Sequence, residues 1–179
     1  PAGWAAADTA VTKVFENGLN GYTGTVDRII DDRGGVNEFN GSTKTQYFLD
    51  GYGTDASGVE NSADAQVLMR FDNLIGSGAN QIPAGATILS AKLTVNTSTT
   101  GNAQSAGPWG VAQLNQAFDS STTYFGSFNC AGCTLVSRGA WWEDSYTQRP
   151  VSGYGNQSQG DAAAADVTSM VQSWANGTA

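Results

Sequence analysis

The chain has 179 residues, enough for one domain with a buried core, and only 13% of them are charged. Gly, Ser, Thr and Asn supply 70 residues and aromatic residues 10%, a composition that suits short strands joined by turns and argues against a helical bundle or a disordered chain. There is no histidine, so Ser-His-Asp and Cys-His centres are excluded, and a net charge of −8 with eight Lys+Arg argues against nucleic acid and anionic membranes as partners.

Strand-like segments follow along the chain. Thr9–Phe15 carries Val11, Val14 and Phe15, and Thr25–Ile30 carries Val26, Ile29 and Ile30. Thr45–Asp50 carries Tyr47, Phe48 and Leu49. Ala65–Asp72 alternates, with Ala65, Val67, Met69 and Phe71 on one face; Leu68 on the other implies that the second face is partly covered. In Thr87–Val95 the pattern sets Leu89, Ala91, Leu93 and Val95 inward. Trp109–Leu114 and Cys133–Val136 are shorter strand candidates. The intervening Gly, Asn, Asp and Ser are turn residues. The longest irregular stretches are residues 31–42, 50–64, 96–108 and 138–160. One segment has a helical period instead: Val167, Met170, Val171 and Trp174 share one face. Asp166 is placed to cap its start and Gly177 to end it. The pattern predicts an all-β chain, an antiparallel β-sandwich or jelly roll with one short C-terminal helix. It is read as a single domain over residues 1–179. Trp174 is then a core residue.

No apolar run approaches the ~20 residues of a membrane span. The chain opens at Pro1 with no signal peptide, as a processed or excised piece would. Cys130 and Cys133 flank Ala-Gly, and in this loop-and-strand setting they are expected to form a small structural disulfide of an exported protein rather than a redox pair.

The order of segments carries a resemblance. Asp8-Thr-Ala-Val comes first and Leu49-Asp50-Gly51 opens an acidic loop. Gln66-Val-Leu-Met-Arg70-Phe71-Asp72 follows, then Ile82-Pro-Ala-Gly-Ala86, Phe118-Asp-Ser-Ser121 and Val167-Thr-Ser-Met-Val-Gln172-Ser-Trp174-Ala-Asn-Gly177. Between about Asp8 and Gly177 the chain resembles the DNRLRE-type domain, a β-sandwich module appended to secreted bacterial and archaeal enzymes and surface proteins. Some of these modules bind alginate-like polysaccharides. The resemblance implies a secreted or cell-surface module of a larger protein, with one more strand after Asn176-Gly177. Without that strand an edge would stand open, so either the sequence is a piece cut short of it or another chain supplies it by strand-mediated self-association. Phe118 stands where the family pattern has Trp. Arg70 and Asp72, two apart on one strand face, are expected to form a structural ion pair.

Two sites follow from residue chemistry. Sugar rings are bound on flat aromatic faces ringed by polar side chains. Trp141, Trp142, Tyr146 and Tyr154, with Arg138 and Arg149 to pair uronate or sulfate groups, are the candidate polysaccharide surface. Trp109 and Tyr22 are further aromatic candidates. Asp50, Asp55, Glu60, Asn61 and Asp64 lie within fifteen residues with Gly51, Gly53 and Gly58, an oxygen-ligand loop suited to a structural Ca²⁺. No sequence pairing of Glu16, Glu38, Glu60 or Glu143 with an Asp marks a glycosidase, and no nucleotide or metalloprotease motif is present, so no catalytic role is expected. The competing reading is a structural or adhesive surface module that assembles without a glycan site.

Overall fold

The computed structural model describes residues 9–31, 38–39, 65–99, 109–111, 113–114, 118, 152–154 and 158–178. Within them, antiparallel strands predominate and one short helix closes the chain, as the all-β pattern predicts. β1 (Thr25–Asp31) lies between β2 (Glu38–Phe39) and β3 (Ala65–Phe71). β4 (Lys92–Asn96) pairs with β7 (Ala162–Asp166), and β5 (Trp109–Val111) with β6 (Ser152–Tyr154). α1 spans Thr168–Ala175.

β1 and β3 are aligned so that Arg28 faces Leu68 and Ile29 faces Val67. Arg28 and Leu68 on one face, and Ile29 on the other, are all buried. The middle of this sheet is therefore covered on both sides, as Leu68 implied. The β4–β7 pair is different. Leu93 opposes Ala165 and Val95 opposes Ala163, and these four turn inward while their neighbours are exposed. Four consecutive alanines are poor strand formers, so β7 is not legible as a strand. They serve here because a small residue fits opposite Leu93 and Val95 in a half-buried ladder.

α1 packs on the other side of that core. Val167, Met170 and Val171 are buried with Leu74, and Phe71, Ile82, Ile88, Leu93 and Trp174 pack around them. Val111 of β5 touches both this cluster and the Ala163–Ala165 cluster, joining the small sheet to the core. The helix starts one residue later than Asp166 would set it. Val167 holds the cap position, and the Asp166 carboxylate instead accepts the Thr168 N–H at 2.9 Å. The hydroxyl and N–H of Thr168 hold that carboxyl below its ordinary value. The helix ends at Gly177 as expected. Gly177 has φ 69°, its N–H donates to the Trp174 carbonyl, and the Thr178 N–H donates to the Ser173 carbonyl, both at 3.0 Å. This paired closure needs a left-handed residue, which glycine adopts without strain.

Several strand expectations are corrected. Thr9–Phe15 forms no strand. Val11 and Val14 are 75% and 55% exposed, and the spacing of Val11, Val14 and Phe15 is not a period of two. Phe15 alone reaches the α1 cluster, while Lys13 Nζ donates to the Ala79 carbonyl at 2.7 Å. The second correction shortens Thr87–Val95 to β4. Before Lys92 the backbone bonds to the helix instead of a strand. The Ile88 N–H donates to Gln172 Oε1 at 2.8 Å and the Ala91 N–H to Thr168 Oγ1 at 2.9 Å. The phase of the pattern breaks there, leaving Leu89 75% exposed. β5 likewise stops at Val111, before Leu114, and the stretches read as irregular contain β2 and β6.

The Ile82-Pro-Ala-Gly-Ala86 turn does not lead straight into a strand. Its Gly85 N–H donates to the Ala175 carbonyl at 2.8 Å, covering the end of α1. Met170→Ala removes a buried side chain from this core and is expected to cost about 2–5 kcal/mol in urea unfolding. Leu89→Ala, at an exposed position that the alternation pattern sets inward, is expected to cost about 0.5 kcal/mol or less in the same measurement.

Candidate functional site

Of the candidate polysaccharide residues, the structure brings two together. Trp109 and Tyr154 are 45 positions apart in sequence and are register partners across β5 and β6. Partners in an antiparallel ladder share a sheet face. Gly110 faces Gly153 next to them, so the opposite face of the ladder carries no side chain there, while Val111 and Ser152 share the face of Trp109 and Tyr154. Trp141, Trp142, Tyr146, Arg138 and Arg149 lie outside the described residues, as do Cys130, Cys133 and the loop with Asp50, Asp55, Glu60, Asn61 and Asp64. Among the described residues, no group of three or more His, Cys, Asp or Glu is placed to hold a metal ion. Nor is any helix among them long and apolar enough to cross a membrane.

A second feature is formed by three turns that meet beside the start of β1. A cleft of about 200 Å³ is lined by residues 20–24, 72–73 and 80–81. The first turn carries a single 3₁₀ turn, Leu19–Gly21, and is anchored by Asn17. Asn17 Nδ2 donates to the Thr25 carbonyl at 3.1 Å, and the Thr25 N–H donates back to Asn17 Oδ1 at 3.0 Å. The amide thus stands in for a strand neighbour at the entry to β1. Tyr22 then spans to the end of β3: its Oη donates to the Asp72 carbonyl at 3.0 Å, and the Asp72 N–H donates to the Gly24 carbonyl at 2.7 Å. A Cβ at Gly24 would collide with the Asp72 carbonyl and the Tyr22 ring, so this crossing requires glycine. The Tyr22 ring meets Phe15 edge-on, centroids 5.3 Å apart.

The third turn is stitched to the other two. Gln81 accepts the Gly78 N–H at 2.8 Å and donates to the Asn73 carbonyl at 2.8 Å. Asn80 donates to the Asn20 carbonyl at 3.2 Å. Both Asn20 and Asn73 have left-handed backbone, φ 51° and 58°, which asparagine tolerates better than other non-glycine residues. The sequence signals for this cleft are Asn20-Gly21 and Asp72-Asn73, two turn-forming pairs. Sequence reading singled out Tyr22 but not the amides around it, because nothing in the sequence places residues 20, 73 and 81 together.

Arg70 and Asp72 form the expected ion pair. Nε and Nη2 of Arg70 donate to the two carboxylate oxygens at 2.6 and 3.0 Å. Both side chains are about two-fifths exposed (39% and 42%), so the pair contributes at most about 1 kcal/mol. Its other role is positional. Arg70 Nη1 donates to the Phe118 carbonyl at 3.0 Å and its guanidinium carbon lies 5.5 Å from the Phe118 ring centroid. Phe118 is buried.

Comparison of the chain with family models, with curated proteins and with solved structures found no match in any of the three.

Burial raises the Tyr22 phenol above its ordinary value of 10.0, and the Asp72 carboxylate adds to the rise. The folded chain therefore holds this proton more tightly than the unfolded chain. That contribution is present below about pH 10 and is lost as pH rises through the raised value. Tyr22→Phe is expected to lower stability by about 1 kcal/mol at neutral pH through the lost hydrogen bond. It is also expected to lose less of its urea midpoint than the parent between about pH 9 and pH 11, since the remaining tyrosines titrate in both proteins.

Proposed function

We propose that the chain is a non-catalytic extracellular β-sandwich module that binds polysaccharide and is appended to a larger secreted protein. The observation that carries this reading is the register of β5 and β6, which sets Trp109 and Tyr154 opposite each other at one end of the ladder, on the face whose Val111 reaches the core clusters. Two neighbouring aromatic residues on a sheet face are the minimum platform for the apolar face of a sugar ring. The sandwich reading is supported by antiparallel pairing throughout the named strands and by the one-face-in alternation of β4 and β7. The resemblance to the DNRLRE-type domain supports the secreted setting and the ligand class. Arg138 and Arg149 are the residues that would pair the carboxylates of an alginate-like glycan, and Trp141, Trp142 and Tyr146 would extend the platform. In this reading Asp50, Asp55, Glu60, Asn61 and Asp64 hold a structural Ca²⁺ that fixes their loop.

Native gels cast with acidic and neutral polysaccharides test the reading. At least one glycan is expected to retard the chain, and Trp109→Ala and Tyr154→Ala are each expected to weaken retention about tenfold, about 1.4 kcal/mol. A folded chain retarded by none would instead assign it to a structural or self-assembling role. For the calcium loop, chelator is expected to lower Tm by several degrees, reversed by added Ca²⁺. An unchanged Tm removes the ion from the account.

A further inference from the structure

We propose that the cleft between Tyr22 and Asp72 is a separate binding site for one neutral, hydroxyl-rich ring, a single uncharged sugar unit. It rests on the polysaccharide reading for the class of ligand. It shares no residue with the Trp109–Tyr154 pair.

Three observations carry it. The first is how the wall is built. Five hydrogen bonds from side chains to main-chain carbonyls, from Lys13, Asn17, Tyr22, Asn80 and Gln81, hold the turns in place. The walls are thus ordered before any ligand arrives, which lowers the entropic cost of binding. The second is what remains unused. The backbone carbonyls of Asn20 and Asn73 are taken by Asn80 and Gln81, but their own side-chain amides hydrogen-bond nothing among the described residues. Each amide offers a donor and an acceptor, as each sugar hydroxyl does. Tyr22 Oη donates to the Asp72 carbonyl and has the Thr25 hydroxyl on one lone pair, which leaves the other for a ligand hydroxyl.

The third observation is charge and size. The titratable groups on the wall are the Tyr22 phenol and the Asp72 carboxylate. Lys13 is turned onto the Ala79 carbonyl and Arg70 is committed to Asp72 and Phe118. A uronate or sulfated ring would meet a carboxylate here with no free cation among the described residues, so the site selects an uncharged ring. At about 200 Å³ the cleft is smaller than the roughly 300–1,000 Å³ of a drug-sized pocket, which limits it to one ring of a polymer.

Proton–nitrogen correlation spectra of the full chain test this, titrated with cellotriose, maltotriose, laminaritriose, mannotriose and xylotriose, and with trigalacturonate as the anionic control. At least one neutral trisaccharide is expected to shift the Asn20 and Asn73 side-chain amides, and trigalacturonate is expected to leave them in place. Asn20→Gly with Asn73→Gly keeps both left-handed backbones and removes both amides. It is expected to retain the fold and weaken the neutral probe about tenfold or more. The proposal is overturned if no neutral probe moves these signals, if trigalacturonate moves them as well, or if the double variant binds unchanged. Its failure is separable from that of the reading above. Gel retardation lost in Trp109→Ala with a silent cleft removes only this site, whereas cleft shifts without retardation by any polymer remove only the other.

Discussion

The interaction on which the rest of the described structure depends is the docking of α1 against the segment that leads into β4. Residues 86–91 have no strand partner among the described residues, yet the backbone groups of Ala86, Ile88 and Ala91 find partners in the helix. Gln172 accepts from Ile88 and donates to the Ala86 carbonyl at 3.0 Å, and Thr168 accepts from Ala91. In return the Gly85 N–H covers the last turn of the helix. Backbone groups removed from water must be paired, and here two side chains of one helix do what a neighbouring strand would otherwise do. This fixes where β4 begins. It also seats Met170 and Val171 against Leu74, and Val111 against both core clusters. The Trp109–Tyr154 pair is thereby hung from the core by the residue two positions beyond Trp109.

At the other end, the polar cleft uses the same device in reverse. Its turns are held by side chains that reach main-chain carbonyls, and Phe15, Phe71, Leu74 and Ile82 link it to the apolar cluster. Arg70 ties it inward, holding Asp72 on one side and the buried Phe118 on the other. A cleft built this way is rigid without being dry, as suits recognition of hydroxyls.

How much was legible depended on whether the signal was local. β1 and β3 announced themselves by β-branched and alternating residues, and α1 by its period and by Gly177. β7 did not, because Ala162–Ala165 are chosen for their small size opposite Leu93 and Val95, a property of the partner and not of the segment. Leu89 was misplaced because the alternation is real only once Lys92 enters the ladder. Thr9–Phe15 misled because three apolar residues suggested a strand where only Phe15 packs. Trp109 and Tyr154 were each recognisable as aromatic candidates, but their pairing needs a register that closes over 40 intervening residues. The amides of the cleft were invisible for the same reason: three turns meet, and no one of them carries the pattern.

Native-state hydrogen exchange tests the helix-docking account most directly. The amides of Ile88 and Ala91 lie outside any strand, so their protection reports on Gln172 and Thr168 alone. The account predicts that they exchange together with the β4–β7 amides, as one cooperative unit with α1. Rapid exchange at Ile88 and Ala91 while the β4 amides stay protected would contradict it.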